Sequence, residues 1–340
     1  MTSVQPRAST RLIDPAVLAR IGDLELIART VVEGVINGLH RSPHLGSSMD
    51  FAEHRAYMPG DDIRRIDWKL FGRSDRHFVK EFEADTNTNF TVLVDVSPSM
   101  QYGASVHGER TLSKLDYARY LAACLAYLAS TQRDRVGLVT FDNAIRDYVP
   151  PAAKHLHVVL HTLDQLRPTD SGLRTKNLGT PASAVRSPQS AVRSPQSLST
   201  ITRRLSESFR RRSIVLVISD LYEEPADVLE ALTHLRGKGN DLIVFHVLDR
   251  RELEFPFTDA ANFLDLETGE RMPVIPDYLR RQYRELITAH VASLGRVLGE
   301  SRIDYALFDT AKPLDHALFA FLAAREGISR SGRRPVAGGR

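Results

Sequence analysis

The sequence predicts an α/β protein built on a doubly wound, mostly parallel sheet, preceded by a small helical and β-rich unit. Three observations carry that reading. Short β-branched runs recur at residues 90–96, 136–141, 213–219, 242–248 and 303–308, each continuously apolar, as strands covered on both faces are. Helical periods lie between or after them, at 114–130, 155–166, 198–209, 226–235, 278–298 and 314–324. Their alternation is the order in which right-handed crossovers build a parallel sheet. A chain of 340 residues with 42% hydrophobic and 26% charged side chains fits about two folded domains and excludes wholesale disorder, collagen and coiled-coil rods.

Residues 1–40 read as a loose tail followed by one or two helices. Asp14-Pro15 supplies an N-cap with proline at the first helical position, and Gly22-Asp23 a break. Across 41–89, Gly, Pro and His punctuate short runs at 51–58, 63–68 and 78–82. That texture predicts a small β-rich unit turning at Met58-Pro59-Gly60-Asp61. The α/β domain then spans 90–326 and is interrupted at 167–197, a stretch rich in Ser, Pro, Thr and Arg in which SAVRSPQ at 183–189 is repeated at 190–196. Two copies cannot form a solenoid and the segment has little apolar area to pack. It is expected to be a flexible insertion, with Arg-Ser-Pro steps that would also suit phosphorylation or docking. A hairpin at 263–275, turning near Thr268-Gly269, is expected as an antiparallel edge, and residues 327–340 as a disordered tail.

Composition narrows the function classes. Lys and Arg number 45 against 42 Asp and Glu, a formal charge of +3, so nothing points to nucleic acid as the main partner. The arginines at 64–65, 210–212 and 330–334 lack interleaved aromatic stacking platforms and read as solvated faces. Cys124 is the single cysteine, which excludes an internal disulfide and any multi-thiolate metal site and leaves core packing as its role. No apolar run approaches the roughly 18 residues of a membrane helix, and the start lacks a signal-peptide core. A cytoplasmic protein without a membrane segment is expected.

The chemistry concentrates in Asp95-Val96-Ser97-Pro98-Ser99, immediately after the first strand of the array. Alternate residues of such an outgoing turn can point into the crevice where open α/β sheets bind ligands. The run at 213–219 ends in the same way and delivers Asp220, so the two aspartates meet if their strands are neighbours. Two carboxylates and two hydroxyls form an all-oxygen set suited to a hard cation such as Mg²⁺, or Mn²⁺ or Ca²⁺, and not to zinc. Taken alone, the serines could equally serve as turn and N-cap acceptors. His157 and His161, four apart on one predicted helix, lack a third ligand and read as surface or packing residues. No Gly-rich phosphate loop, nucleophile elbow or His-Glu-x-x-His sequence is present.

With these residues in view, the chain resembles a von Willebrand factor A-type domain of Rossmann-type architecture. In that family Asp-x-Ser-x-Ser, a distant Thr and a distant Asp form a metal-ion-dependent adhesion site. The resemblance assigns Asp95, Ser97 and Ser99 to the first motif and Asp220 to the last. It assigns Thr175 to the threonine, with Thr169 and Thr180 as alternatives. The run from Arg55 to Lys69, RAYMPGDDIRRIDWK, with Val79-Lys80-Glu81-Phe82-Glu83, resembles the signature of the bacterial domain-of-unknown-function family numbered fifty-eight, whose members are typically encoded beside MoxR-type AAA+ ATPases. Within it, Tyr57 and Trp68 can be packing residues, or Asp61, Asp62 and Arg64 a docking surface.

The function so implied is a non-enzymatic, metal-dependent protein-interaction module. A Mg²⁺ held by Asp95, Ser97, Ser99, Thr175 and Asp220 would leave one position for a partner's carboxylate, and a MoxR-type ATPase is the implied associate, in a chaperone-like or assembly role. The alternative is a Mg²⁺-dependent phosphoryl-transfer enzyme using Asp95. Against it, Ser97 stands where a second carboxylate is usual, and the pattern places no lysine near the site.

Overall fold

The computed structural model describes residues 23–40, 54–56, 78–80, 88–103, 105–106, 109–110, 112–166, 196–209 and 211–314. The expectations for Asp14-Pro15, for most of the signature run, for the duplicated insertion with Thr169, Thr175 and Thr180, and for a helix at 314–324 fall outside them. Contacts divide the chain into a unit at residues 36–87 and a unit comprising the remainder. Within the smaller unit, β1 (His54–Ala56) pairs antiparallel with β2 (Phe78–Lys80). Helix α1 (Leu24–His40) begins after Asp23, whose Oδ1 accepts the backbone N–H groups of Glu25 and Leu26. Asp23 therefore caps the start of α1.

The larger unit is mixed α/β around a six-stranded, mostly parallel sheet. Its strands are β3 (Asn89–Asp95), β6 (Arg135–Phe141), β7 (Ile145–Ala152), β8 (Ser213–Ser219), β9 (Asp241–Leu248) and β12 (Asp304–Asp309), in the spatial order β12-β9-β8-β3-β6-β7. The five parallel strands are the five apolar runs. The antiparallel edge is β7, not the later hairpin. Its sequence IRDYVPPA, with two prolines, reads poorly as a strand, yet an edge position with register shifts accommodates residues that cannot donate to a ladder.

The later hairpin, β10 (Ala261–Leu264) and β11 (Arg271–Val274), forms a two-stranded sheet of its own. Phe263 and Val274 bury it against Tyr102, Phe255, Tyr283 and Ile287 instead of on the main sheet. A short ribbon, β4 (Ser105–Val106) with β5 (Glu109–Arg110), precedes the first crossover helix.

Helices cover both faces of the main sheet. One face carries α2 (Lys114–Thr131), against β3 and β6, and α3 (Leu156–Gln165) beside it. The other carries α4 (Gln196–Ser208), α5 (Pro225–Arg236) and α7 (Pro276–Glu300), whose Leu198, Leu205, Leu232, Leu235, Leu294 and Leu298 share a core cluster with Leu93, Val215, Val217 and Val244. Cys124 of α2 is fully buried, and burial pushes its thiol up to about 12, which suits packing and not reactivity. Among the described residues no helix is long and apolar enough to cross a membrane.

Candidate functional site

The strand order fixes where a site can lie. From β3 the chain winds outward to β6 and β7, then returns to β8 on the other side of β3. The crossovers therefore part between β3 and β8, and ligands of open α/β sheets bind at the carboxyl ends of such a pair. Asp95 is the last residue of β3, and Ser219 the last of β8.

Alternation decides which side chains meet there. Leu93 and Val217 belong to the cluster under α4, α5 and α7, so Asp95 and Ser219, two residues on, leave the sheet on that same face. The Ser219 hydroxyl donates to Asp95 Oδ2 at 2.6 Å. Asp220 is displaced by one place and is bonded from α2 on the opposite face, where Lys114 Nζ donates to its Oδ2 at 3.0 Å. The neighbouring strands thus bring both aspartates to one end of the sheet, while the hydroxyl that touches Asp95 belongs to Ser219.

The turn after β3 gathers the oxygens. Ser97 N–H donates to Asp95 Oδ1 at 2.9 Å, and the Ser97 and Ser99 hydroxyls lie 3.0 Å apart. Pro98 opens a 3₁₀ turn, Pro98–Gln101, in which Met100 N–H donates to the Ser97 carbonyl and the Met100 side chain is fully buried. Asp95, Ser97 and Ser99 are themselves buried. Neither serine caps this turn through its side chain: Ser97, at the N-cap, makes no side-chain cap bond, and the two hydroxyls hydrogen-bond each other instead. An octahedral Mg²⁺ with oxygens at 2.0–2.1 Å has adjacent ligand oxygens about 3.0 Å apart, the separation of Ser97 Oγ and Ser99 Oγ. That spacing serves the hydroxyl–hydroxyl hydrogen bond and a pair of hard-cation ligands alike. Among the described residues no three His, Cys, Asp or Glu side chains gather as a metal-binding group, so such a site depends on its hydroxyls.

Three residues escaped the sequence reading. Lys114, at the first position of α2, is fully buried and also donates from Nζ to Glu252 Oε1 at 2.7 Å. Burial lowers its pKa, but Asp220 and Glu252 outweigh that and hold the ammonium protonated above its ordinary value. Its Nζ also lies 5.0 Å from the Tyr222 ring centroid. Glu252 belongs to the short helix α6 (Arg250–Glu254), where it closes a capping box: its Oε2 accepts Asp249 N–H at 2.8 Å while Asp249 Oδ1 accepts Arg251 N–H. Two sequence signals were available, the Asp-x-x-Glu spacing of that box and a lysine at a helix N-terminus, where a cation is disfavoured unless carboxylates hold it. The third residue is Glu267, near the hairpin turn, whose Oε1 accepts Ser99 N–H at 3.0 Å from 168 positions away. No local pattern announces that contact.

Behind Asp220, His246 of β9 is buried, with Nε2 2.8 Å from the Asp220 carbonyl oxygen and Nδ1 2.8 Å from the Tyr305 hydroxyl. Burial, helped by His290, pushes its pKa down to about 3, so it is neutral near pH 7. His157 and His161 lie exposed on α3, and His157 Nδ1 is 3.5 Å from Glu25.

Comparison with known proteins adds a family. The model of "Protein of unknown function DUF58" matches residues 53–293. Uncharacterised proteins of Mycobacterium bovis and Mycobacterium tuberculosis are each 27% identical over 288 residues, covering 84% of this chain and 82% of theirs. Among solved structures, the conserved hypothetical protein BatB from Bacteroides thetaiotaomicron matches at 14% identity and TM-score 0.40. An aerotolerance-related membrane protein from Bacteroides fragilis has the same identity and TM-score 0.42. Each comparison covers 70% of this chain and 99% of the other.

Proposed function

The chain belongs to the DUF58 family of proteins of unknown function, and from that premise we propose that it is a metal-dependent protein-interaction module with a von Willebrand factor A-like site at the β3–β8 switch point. The observation that carries the reading is the Ser97–Ser99 hydroxyl pair, at an octahedral edge length beside Asp95. Asp95, Ser97 and Ser99 would hold Mg²⁺, with Mn²⁺ or Ca²⁺ as substitutes, and Thr175 and Asp220 would complete the set. When bound, the ion supplies a Lewis-acidic position for a carboxylate oxygen of a protein partner. Ser219 fixes the rotamer of Asp95 through its hydroxyl, and Lys114 balances the charge of Asp220. A MoxR-type AAA+ ATPase, the associate implied by the family resemblance, is the proposed partner, in a chaperone-like or assembly role.

Calorimetric titration with Mn²⁺ tests the site. Wild type is expected to bind weakly and Asp95→Ala not at all; equal binding by both would remove the assignment. Capture of the ATPase should likewise be lost in EDTA at fixed ionic strength and in the Ser97→Ala/Ser99→Ala double variant. Docking through surface charge would instead fall with salt and ignore the chelator.

One observation favours the second reading, phosphoryl transfer through Asp95: a lysine does lie near the site, as Lys114 on Asp220. Ser97 still stands where an acid–base carboxylate would be needed. Hydrolysis of p-nitrophenyl phosphate that disappears in Asp95→Asn would support it.

A further inference from the structure

We infer that Glu267 is an acidic ligand the chain presents to its own cation site, so that a partner's carboxylate must displace it; this rests on the cation reading above. Glu267 Oε1 lies 3.0 Å from the backbone nitrogen of Ser99, the residue whose hydroxyl forms half of the ligand pair. The contact is built rather than incidental. Asp265 Oδ1 accepts the N–H groups of both Glu267 and Thr268, at 2.8 and 3.2 Å. The turn then closes with Gly269 N–H on the Asp265 carbonyl and Asp265 N–H on that of Glu270. Gly269 has φ of +74°, a conformation glycine adopts without strain. Phe263 and Val274 pin the base of the hairpin into an aromatic core, which holds the turn that carries Glu267 beside Ser99.

Charge gives the arrangement a purpose. Asp95 is the one carboxylate in the Asp95–Ser97–Ser99 triplet, and hard divalent ions are held by several oxygen ligands with affinity rising with their charge. Glu267 adds a second anionic oxygen donor. It is also only half-buried, next to exposed Thr268, Gly269 and Glu270, so it can be exchanged from the solvent side. A tethered carboxylate competes at an effective concentration of order millimolar. It would block adventitious acids and yield to a partner that brings further contacts. A capping carboxylate with no metal role would make the same bond to Ser99 N–H, and the experiment must separate the two.

Mn²⁺ bound to the full chain, read by water-proton relaxation, does so. Wild type should bind and Asp95→Asn should not. Glu267→Gln and Glu267→Ala should bind several-fold more weakly but relax water more strongly per bound ion, because a water replaces the lost ligand. Acetate should then reduce that enhancement at concentrations about tenfold or more below those needed with wild type. Wild-type affinity and relaxation in both Glu267 variants would overturn this inference and leave the cation site standing. Absence of Mn²⁺ binding by wild type would overturn both.

Discussion

Ser219 and Asp220 are adjacent in sequence, yet one bonds Asp95 and the other Lys114. Residue types and their place at a strand end were legible in the sequence, because a strand-ending carboxylate followed by alternate hydroxyls is a local pattern. What the hydroxyls and carboxylates touch was not, since Lys114, Glu252 and Glu267 arrive from more than 100 positions away in at least one contact each. Two predictions belong at this scale. Lys114→Met leaves Asp220 and Glu252 buried without their shared cation, and breaking one partner out of a buried pair costs about 3–5 kcal/mol. Urea unfolding should show that loss, and adding Glu252→Gln should recover part of it. The other concerns His246, held down to about 3 by burial while surrounded by His290, Asp220, Lys114 and Tyr305. Its folded pKa lies below its unfolded value near 6.5, so the unfolded chain takes up the proton first. Its contribution is present above about pH 6.5 and is lost as pH falls toward 3, by at most about 1.4 kcal/mol per unit. Glu252, raised by burial, acts with the opposite sign, its contribution lost as pH rises through the folded value. Comparing wild type with His246→Asn therefore isolates the histidine: the variant's stability should decline less steeply between pH 6.5 and 5.

Elements were legible where burial on both faces makes a strand continuously apolar. All five parallel strands were found in that way, whereas β7 was not, because an edge strand needs no such pattern and its Pro150 and Pro151 argue against pairing. The hairpin was found but misplaced, since turn chemistry reports that two strands pair and says nothing of which surface they cover. The β6–β7 edge has a sharp local requirement at Gly137, where a Cβ would stand 2.8 Å from both Pro151 N and Val149 O. Both are backbone atoms and cannot rotate away. Gly137→Ala should force the edge apart and cost on the order of 1–3 kcal/mol, as overpacking does, with faster amide exchange in β7 as the specific sign. At the start of α2, Ser113 Oγ accepts Asp116 N–H at 3.0 Å. Ser113→Ala should cost about 1 kcal/mol, the usual worth of an N-cap. It would also loosen the first turn that carries Lys114, so capping and the buried ion pair are coupled at one helix end.

At the scale of the whole molecule, every described group of the site comes from the ends of β3 and β8 and from the segments that follow β3 and β10, while the sequence assigns Thr175 to the long connection between α3 and α4. That connection joins helices ending at Gln165 and beginning at Gln196, both packed in the larger unit. If nothing in that connection packs, shortening it from about 30 to 23 residues changes its closure free energy by about 0.2 kcal/mol, in the stabilising direction. Deleting residues 183–189, one SAVRSPQ copy, is therefore expected to leave the thermal midpoint nearly unchanged. A midpoint lowered by about ten degrees would exceed any loop-closure effect several-fold and would mean that the copy packs against the fold. The same connection is where the metal reading is most exposed. Thr175→Ala should weaken Mn²⁺ binding several-fold while Thr169→Ala and Thr180→Ala do not, and the deletion, which spares Thr175 and keeps both loop ends fixed, should bind Mn²⁺ as wild type does. If instead all three threonine variants bind normally, the oxygens of Asp95, Ser97, Ser99 and Asp220, with Glu267, would have to suffice, and the connection would owe its length to something other than the ion.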